Sequence, residues 1–246
     1  MRKLTLFIIL IFFAGVVNAQ THDRYSYSYT KLGIGVFGGM NTPYVDLKQS
    51  NKGKSFSLIG YYNITPYLPL GLEIQSGELS GGSIITDPSK RQFDNQYKAI
   101  FVHGDCSLGQ ILDYEDNFFL GIAKDFYMGT GVGVISNNMK FIQRYNLVTY
   151  QYPLLTYRYP GEDKSLSLAV PIRFGYEFKI YDSWGEPFIG INIQYVHTIA
   201  FNDELDGYND PSTIFKNNSL DQYSLLQVGI KVNFGQSVPY TKKINY

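Results

Sequence analysis

Cysteine is almost missing from this chain: Cys106 stands alone, so no disulfide can close within it. Charge is scarce, with Asp, Glu, Lys and Arg making up only 17% of residues, and the basic ones are not in excess. That excludes the electrostatic footprint of a nucleic-acid binder. Beyond the first residues no apolar run approaches the roughly 18 residues of a membrane-spanning helix. P-loop, CxxC and HExxH motifs are absent as well, and no cofactor is expected.

Aromatics and glycine fill the space: 22 Tyr, 17 Phe and 24 Gly. The N-terminus has the layout of a secretory signal peptide. Arg2 and Lys3 precede an apolar run from Leu4 to Val17, and Val17-Asn18-Ala19 forms a small-x-small cleavage site. Residues 1–19 are therefore expected to be a leader, residues 20–235 a β-barrel domain and residues 236–246 a polar tail. Removing the leader takes away two basic residues and leaves 19 basic against 21 acidic. An exported chain rich in Tyr and Gly, without a long apolar run, fits a transmembrane β-barrel.

Alternation carries the reading further. In Ser165–Ile180 the even positions are Leu166, Leu168, Val170, Ile172, Phe174, Tyr176, Phe178 and Ile180; the odd ones include Ser165, Ser167, Arg173, Gly175, Glu177 and Lys179. Successive side chains of a strand point to opposite faces, so this is a ribbon with one apolar and one polar face. Seven other segments repeat it: 31–40, 54–64, 68–79, 94–108, 125–135, 187–201 and 222–234. Gly109–Lys124 reads as a turn plus the lower part of the fifth strand, and Ser136–Lys164 as the longest loop. The connections after strands one, three, five and seven are long, and two of the other three are short. The fold class is thus all-β: a closed antiparallel eight-stranded up-and-down transmembrane barrel with long outer loops and short periplasmic turns. Its interior should be polar and small, its exterior apolar. Pro171 lies inside a strand and should interrupt the ladder there.

Five charges point inward by parity: Glu73, Arg173, Glu177, Lys179 and Lys231. Burying them unpaired is costly, so they should form a network that closes the lumen. Parity leaves the pairing open. His103, Asp105 and Ser107 alternate on the same face, which reads as a polar interior row in preference to a nucleophile–base set. His197 falls on the lipid face near the outer end of strand seven and reads as an interfacial aromatic. Asp203, Glu204, Asp206 and Asp210 make an acidic loop whose spacing is not that of a calcium loop. Asn63-Ile-Thr65 and Asn217-Asn-Ser219 match the glycosylation pattern, discounted in a bacterium. Tyr145, Tyr150, Tyr152, Tyr157 and Tyr159, with Leu147, Val148, Leu154 and Leu155, crowd the longest loop. Such a patch is either a contact surface for a protein or glycan or a raised hairpin of packed rings, and one segment can be both.

The last strand, Gln227-Val-Gly229-Ile-Lys-Val232-Asn-Phe234, resembles the C-terminal signal read by the bacterial barrel-assembly machinery, although residues 235–246 follow the aromatic. Together with VNAQ at the cleavage site, FYMGTGVGVISNN at 126–138 and the VPI…YEF strand, residues 31–235 resemble small outer-membrane β-barrel proteins of Bacteroidetes type, the OmpA-like and PorT-like class. The resemblance implies an eight-stranded barrel of a class most of whose members have no assigned biochemical activity. The leading expectation is a non-enzymatic protein of the cell outer membrane with a structural, tethering or surface-interaction role. Its partners would be membrane lipid, lipopolysaccharide and the assembly machinery. The alternatives are a lipid-modifying barrel enzyme and a narrow channel.

Overall fold

The computed structural model describes residues 26–47, 49–87, 90–114, 117–148, 155–202, 204–209 and 220–242. Eight long strands form one antiparallel ring: β1 (Ser26–Tyr44), β2 (Gly53–Thr65), β3 (Leu68–Gly82), β4 (Gln92–Ser107), β5 (Phe126–Ile142), β6 (Lys164–Tyr181), β7 (Pro187–Ala200) and β8 (Gln222–Thr241). Each pairs with its chain neighbours, and β1 pairs with β8, as in Val36↔Ile230, which closes the ring and leaves no long edge.

The alternation turns the barrel inside out relative to a soluble one. Leu32, Ile34 and Val36 of β1, Leu70, Leu72 and Ile74 of β3, and Val228 and Ile230 of β8 face outward and are exposed. Leu166, Leu168, Phe174 and Phe178 of β6 do the same, while Ser167, Ala169 and Arg173 between them are buried inside. Side chains of this kind stay outside only where hydrocarbon covers them, which is the arrangement of a transmembrane barrel. At Pro171 the β5–β6 ladder passes from Thr130↔Ile172 to Gly133↔Ala169 and skips the two pairs between. Proline has no N–H to give, and Thr130 Oγ1 donates to its carbonyl at 3.0 Å.

Three segments depart from the sequence reading. Gly109–Lys124 contains no strand among its described residues: a 3-10 turn spans Leu108–Gln110, and Phe118–Ala123 forms a short helix, α1. Asn117 caps it, its Oδ1 accepting from the N–H groups of Phe119 and Leu120. Residues 136–164 are not one loop: β5 continues to Ile142, and Tyr145–Val148 pairs with Leu155–Arg158 as a separate hairpin. The polar tail expected from residue 236 is strand as far as Thr241, which pairs with Ser26.

The interior also differs from the small, polar lumen expected. Its outer half is packed with Leu47, Leu79, Phe93, Tyr97, Phe101, Ile135 and Tyr223. Glycines on the inner face make room for these rings. A Cβ on Gly133 would stand 2.3 Å from a ring carbon of Phe101, and one on Gly71 would stand 2.3 Å from the His103 imidazole. Residues that look like a lining of small groups are therefore the sockets for large ones.

Candidate functional site

Two places concentrate chemistry: the lumen and the outer mouth. At the centre of the lumen lies Arg173, 1% exposed. Its Nη1 meets Glu73 Oε2 at 2.6 Å, its Nε meets Asp105 Oδ1 at 3.1 Å and its Nη2 donates to Gln194 Oε1 at 2.9 Å. Three strands besides its own thus hold one guanidinium, whose rigid fork suits several acceptors at once. A second circle of amides and hydroxyls locks the first. Gln75 Nε2 donates to Glu73 Oε1 at 3.2 Å, and Gln75 Oε1 accepts from the hydroxyls of Tyr97 at 3.1 Å and Tyr223 at 2.8 Å. Tyr127 donates to Gln194 at 3.0 Å.

Nearer the end that carries the termini, Lys231 Nζ stands 3.6 Å from Glu177 and 4.6 Å above the Tyr61 ring. Lys179 Nζ is 2.7 Å from Asp125 and 4.6 Å above the Tyr67 ring. The five inward charges therefore fall into two tiers, with Asp105 and Asp125 completing them. Asp105 was readable by parity on β4. Asp125 shares the parity of Tyr127 and Gly129 in the segment 125–135, although it stands one residue before β5 itself. Two small cavities, of about 10 and 20 Å³, lie between these tiers and the turns below; each has room for a single water.

His103 and Ser107 share a face but not a site. Four residues of strand separate them by about 13 Å. His103 Nδ1 instead stands 3.2 Å from Asp105 Oδ2, and Nε2 3.9 Å from Glu73 Oε2. Asn63 points into the lumen, where its Nδ2 donates to the Thr30 carbonyl at 2.9 Å, so it offers no glycosylation acceptor. His197 lies on the outward face at the outer end, with Nε2 2.8 Å from Gln222 Oε1 and its ring stacked on Tyr195 at 6.5 Å.

The outer mouth is filled by residues 204–209 of the β7–β8 connection. Leu205 is fully buried there; its N–H donates to Asp221 Oδ2 at 2.8 Å and its carbonyl accepts from Asn95 Nδ2 at 2.8 Å. The Tyr208 hydroxyl donates to the carbonyls of Gln92 and Gln143, and burial pushes that hydroxyl above its ordinary pKa, so it stays a neutral donor. Tyr159 is a correction to the surface-contact set: it is buried, edge-on to Tyr208 at 5.6 Å, and belongs to the plug. Tyr145 is exposed at the base of the hairpin. The backbone of Tyr157 pairs with Asn146, while Tyr150 and Tyr152 lie outside the described residues. In the acidic loop, Asp206 Oδ1 accepts from the Tyr208 N–H and Glu204 from Asn202; Asp203 and Asp210 lie outside the described residues. Among the described residues no group of His, Cys, Asp or Glu converges as a metal site. Along β8, Gln227 and Gly229 face the lumen and Phe234 faces outward.

No family model and no curated protein matches the sequence. Among solved structures, neisserial surface protein A is similar at 10% identity and a TM-score of 0.44, over 85% of this chain and 99% of that one. Ail, the attachment invasion locus protein of Yersinia pestis, is similar at 9% identity and a TM-score of 0.41, over 84% of this chain and 99% of that one. The N-terminal β-barrel domain of Pseudomonas aeruginosa OprF is similar at 5% identity and a TM-score of 0.35, over 81% of this chain and 96% of that one. Likeness at this level carries no activity from those proteins to this one.

Proposed function

We propose that this chain is an integral outer-membrane protein of non-enzymatic function, a closed barrel that holds a contact surface at the outer face of the cell. The leader at residues 1–19 supports export, and the pattern Gln227, Gly229, Val232, Phe234 supports delivery to the barrel-assembly machinery. One observation carries the reading: an uninterrupted apolar belt surrounds a lumen filled with rings at one end and ion pairs at the other. Among the described residues, rings and ion pairs occupy the lumen, which favours a role at the surface over a substrate inside. What the barrel presents to the outside is the hairpin 145–158 and the plugged mouth. Tyr145, Tyr150, Tyr152 and Tyr157 supply rigid amphipathic rings suited to a protein or glycan partner. The test is to replace residues 145–158 by a short Gly-Ser linker. The barrel should still assemble, and partners crosslinked to the wild type at the cell surface should be lost. Retention of every partner would remove the contact role.

A second reading, a lipid-modifying enzyme, has one observation in its favour: His197 and Ser224 are register partners on the outward face at the outer end. Against it, Ser224 Oγ donates to the Tyr44 hydroxyl at 3.3 Å, and the imidazole Nε2 meets an amide oxygen where an orienting carboxylate would stand. Mass spectrometry of lipid A from a His197→Ala strain decides between them: an unchanged profile supports the non-enzymatic reading, an altered one the enzyme.

A further inference from the structure

The connection from β4 to β5 lies at the end of the barrel that carries the termini, and it exposes a face with nothing yet to cover it. Its helix α1, Phe-Phe-Leu-Gly-Ile-Ala, has no charged residue. Phe118 is 77% exposed, Phe119 78% and Ile122 46%. Positions i, i+3 and i+4 of a helix share one side, so the three form a single apolar face. An apolar face of this kind on an exposed element marks a contact. The outward wall of the barrel continues directly into it. Tyr176, on the outward face of β6, donates to the Ile122 carbonyl at 3.1 Å. Its ring packs against Phe126 at 4.6 Å and Phe178 at 4.5 Å, both outward-facing and exposed. Charge resumes at the flanks, with Asp113, Glu115 and Asp116 before the helix in sequence and Lys124 after it; Lys124 Nζ stands 4.8 Å above the Tyr114 ring.

We propose that α1 is a lipid anchor: its Phe118–Phe119–Ile122 face enters the periplasmic leaflet beside β5 and β6 and widens the barrel's apolar belt at that rim. The occupant is phospholipid acyl chain. A short segment with aromatic residues on one face and charges at its ends suits the boundary between headgroups and hydrocarbon. Continuity with the lipid-facing wall, through the Tyr176–Ile122 bond, favours lipid over a periplasmic protein. The proposal rests on the membrane-barrel reading, and its test separates the two.

Trp184 is the only tryptophan, so a Trp184→Phe background leaves one reporter wherever a tryptophan is added. Phe119→Trp in that background is refolded into phosphatidylcholine vesicles, and insertion is first verified by resistance of the unboiled band to unfolding on a gel. The emission of the new tryptophan should be blue-shifted. It should lose intensity in vesicles whose acyl chains are brominated near the carbonyl, and be little affected by aqueous iodide. Phe118→Trp should behave alike and serves if the first variant folds poorly. Verified insertion with red-shifted emission, quenched by iodide and not by bromine, would overturn the anchor while leaving the barrel standing. Failure of the parent background itself to insert would refute the membrane reading instead.

Discussion

Arg173 stands between Glu73 and Asp105 in the middle of the lumen, with both carboxylates nearly as buried as itself. Removing it strands two buried charges, a change worth about 3–5 kcal/mol. Arg173→Met should therefore lower stability by that order in urea unfolding from detergent micelles. Adding Glu73→Gln and Asp105→Asn should recover part of the loss, because the stranded charges then disappear. A loss under about 1 kcal/mol would mean that water screens the site as it screens a surface pair. Gly71 makes the steric counterpart. Gly71→Ala pushes a methyl into the His103 ring and should cost about 1–3 kcal/mol in the same assay. Combined with His103→Ala it should cost less than the two changes summed, since the clash is then gone. Parity made the inward direction of the five charges legible, because it depends only on counting along a strand. Their partners were less so, because which strands meet across a lumen is set by ring closure. The same limit hid the role of glycine, which reads as small from sequence and proves to be the space beside a ring.

Among the elements, the eight strands were legible because the period of two persists for many residues and a helix of the same composition would mix the faces. Strand ends were not. β5 runs seven residues past the point where its alternation weakens at Ile135, and β8 runs past Phe234 to Thr241. Outside a membrane belt there is no need for an apolar face, so the pattern fades while the hydrogen-bonded ladder continues. Helix α1 was missed for a different reason: a six-residue apolar run fits a strand as well as a helix, and Asn117 in the capping position was the only signal that separates them. The hairpin and the mouth make a testable pair. Replacing 145–158 should leave unfolding in urea nearly unchanged, because loops tolerate replacement. Tyr208→Ala, by contrast, removes a ring that packs on Tyr159 and bridges β4 to the residue after β5, and should destabilise by roughly 3–5 kcal/mol, as for other large buried rings. Equal effects from the two changes would show that Tyr208 is not part of the plug.

For the molecule as a whole, eight strands give an interior just wide enough for side chains to fill. Among the described residues it is filled: rings and part of the β7–β8 connection at the outer end, and two ion-paired tiers toward the other. Purified protein in planar bilayers should accordingly show no steady conductance, and the channel alternative gains ground only if it does. That the chain makes a barrel was legible from alternation. A closed lumen was expected from the inward charges, whereas the plug of rings and β7–β8 residues in its outer half was not, because it is built from residues distant in sequence. The central claim, a closed barrel resident in the outer membrane, is tested most directly by fractionating cells and running the outer-membrane fraction on a gel with and without boiling. The protein should be found there, and the unboiled band should migrate differently from the boiled one, because the closed hydrogen-bonded sheet resists detergent. Recovery as a soluble periplasmic species with one mobility in both lanes would contradict it.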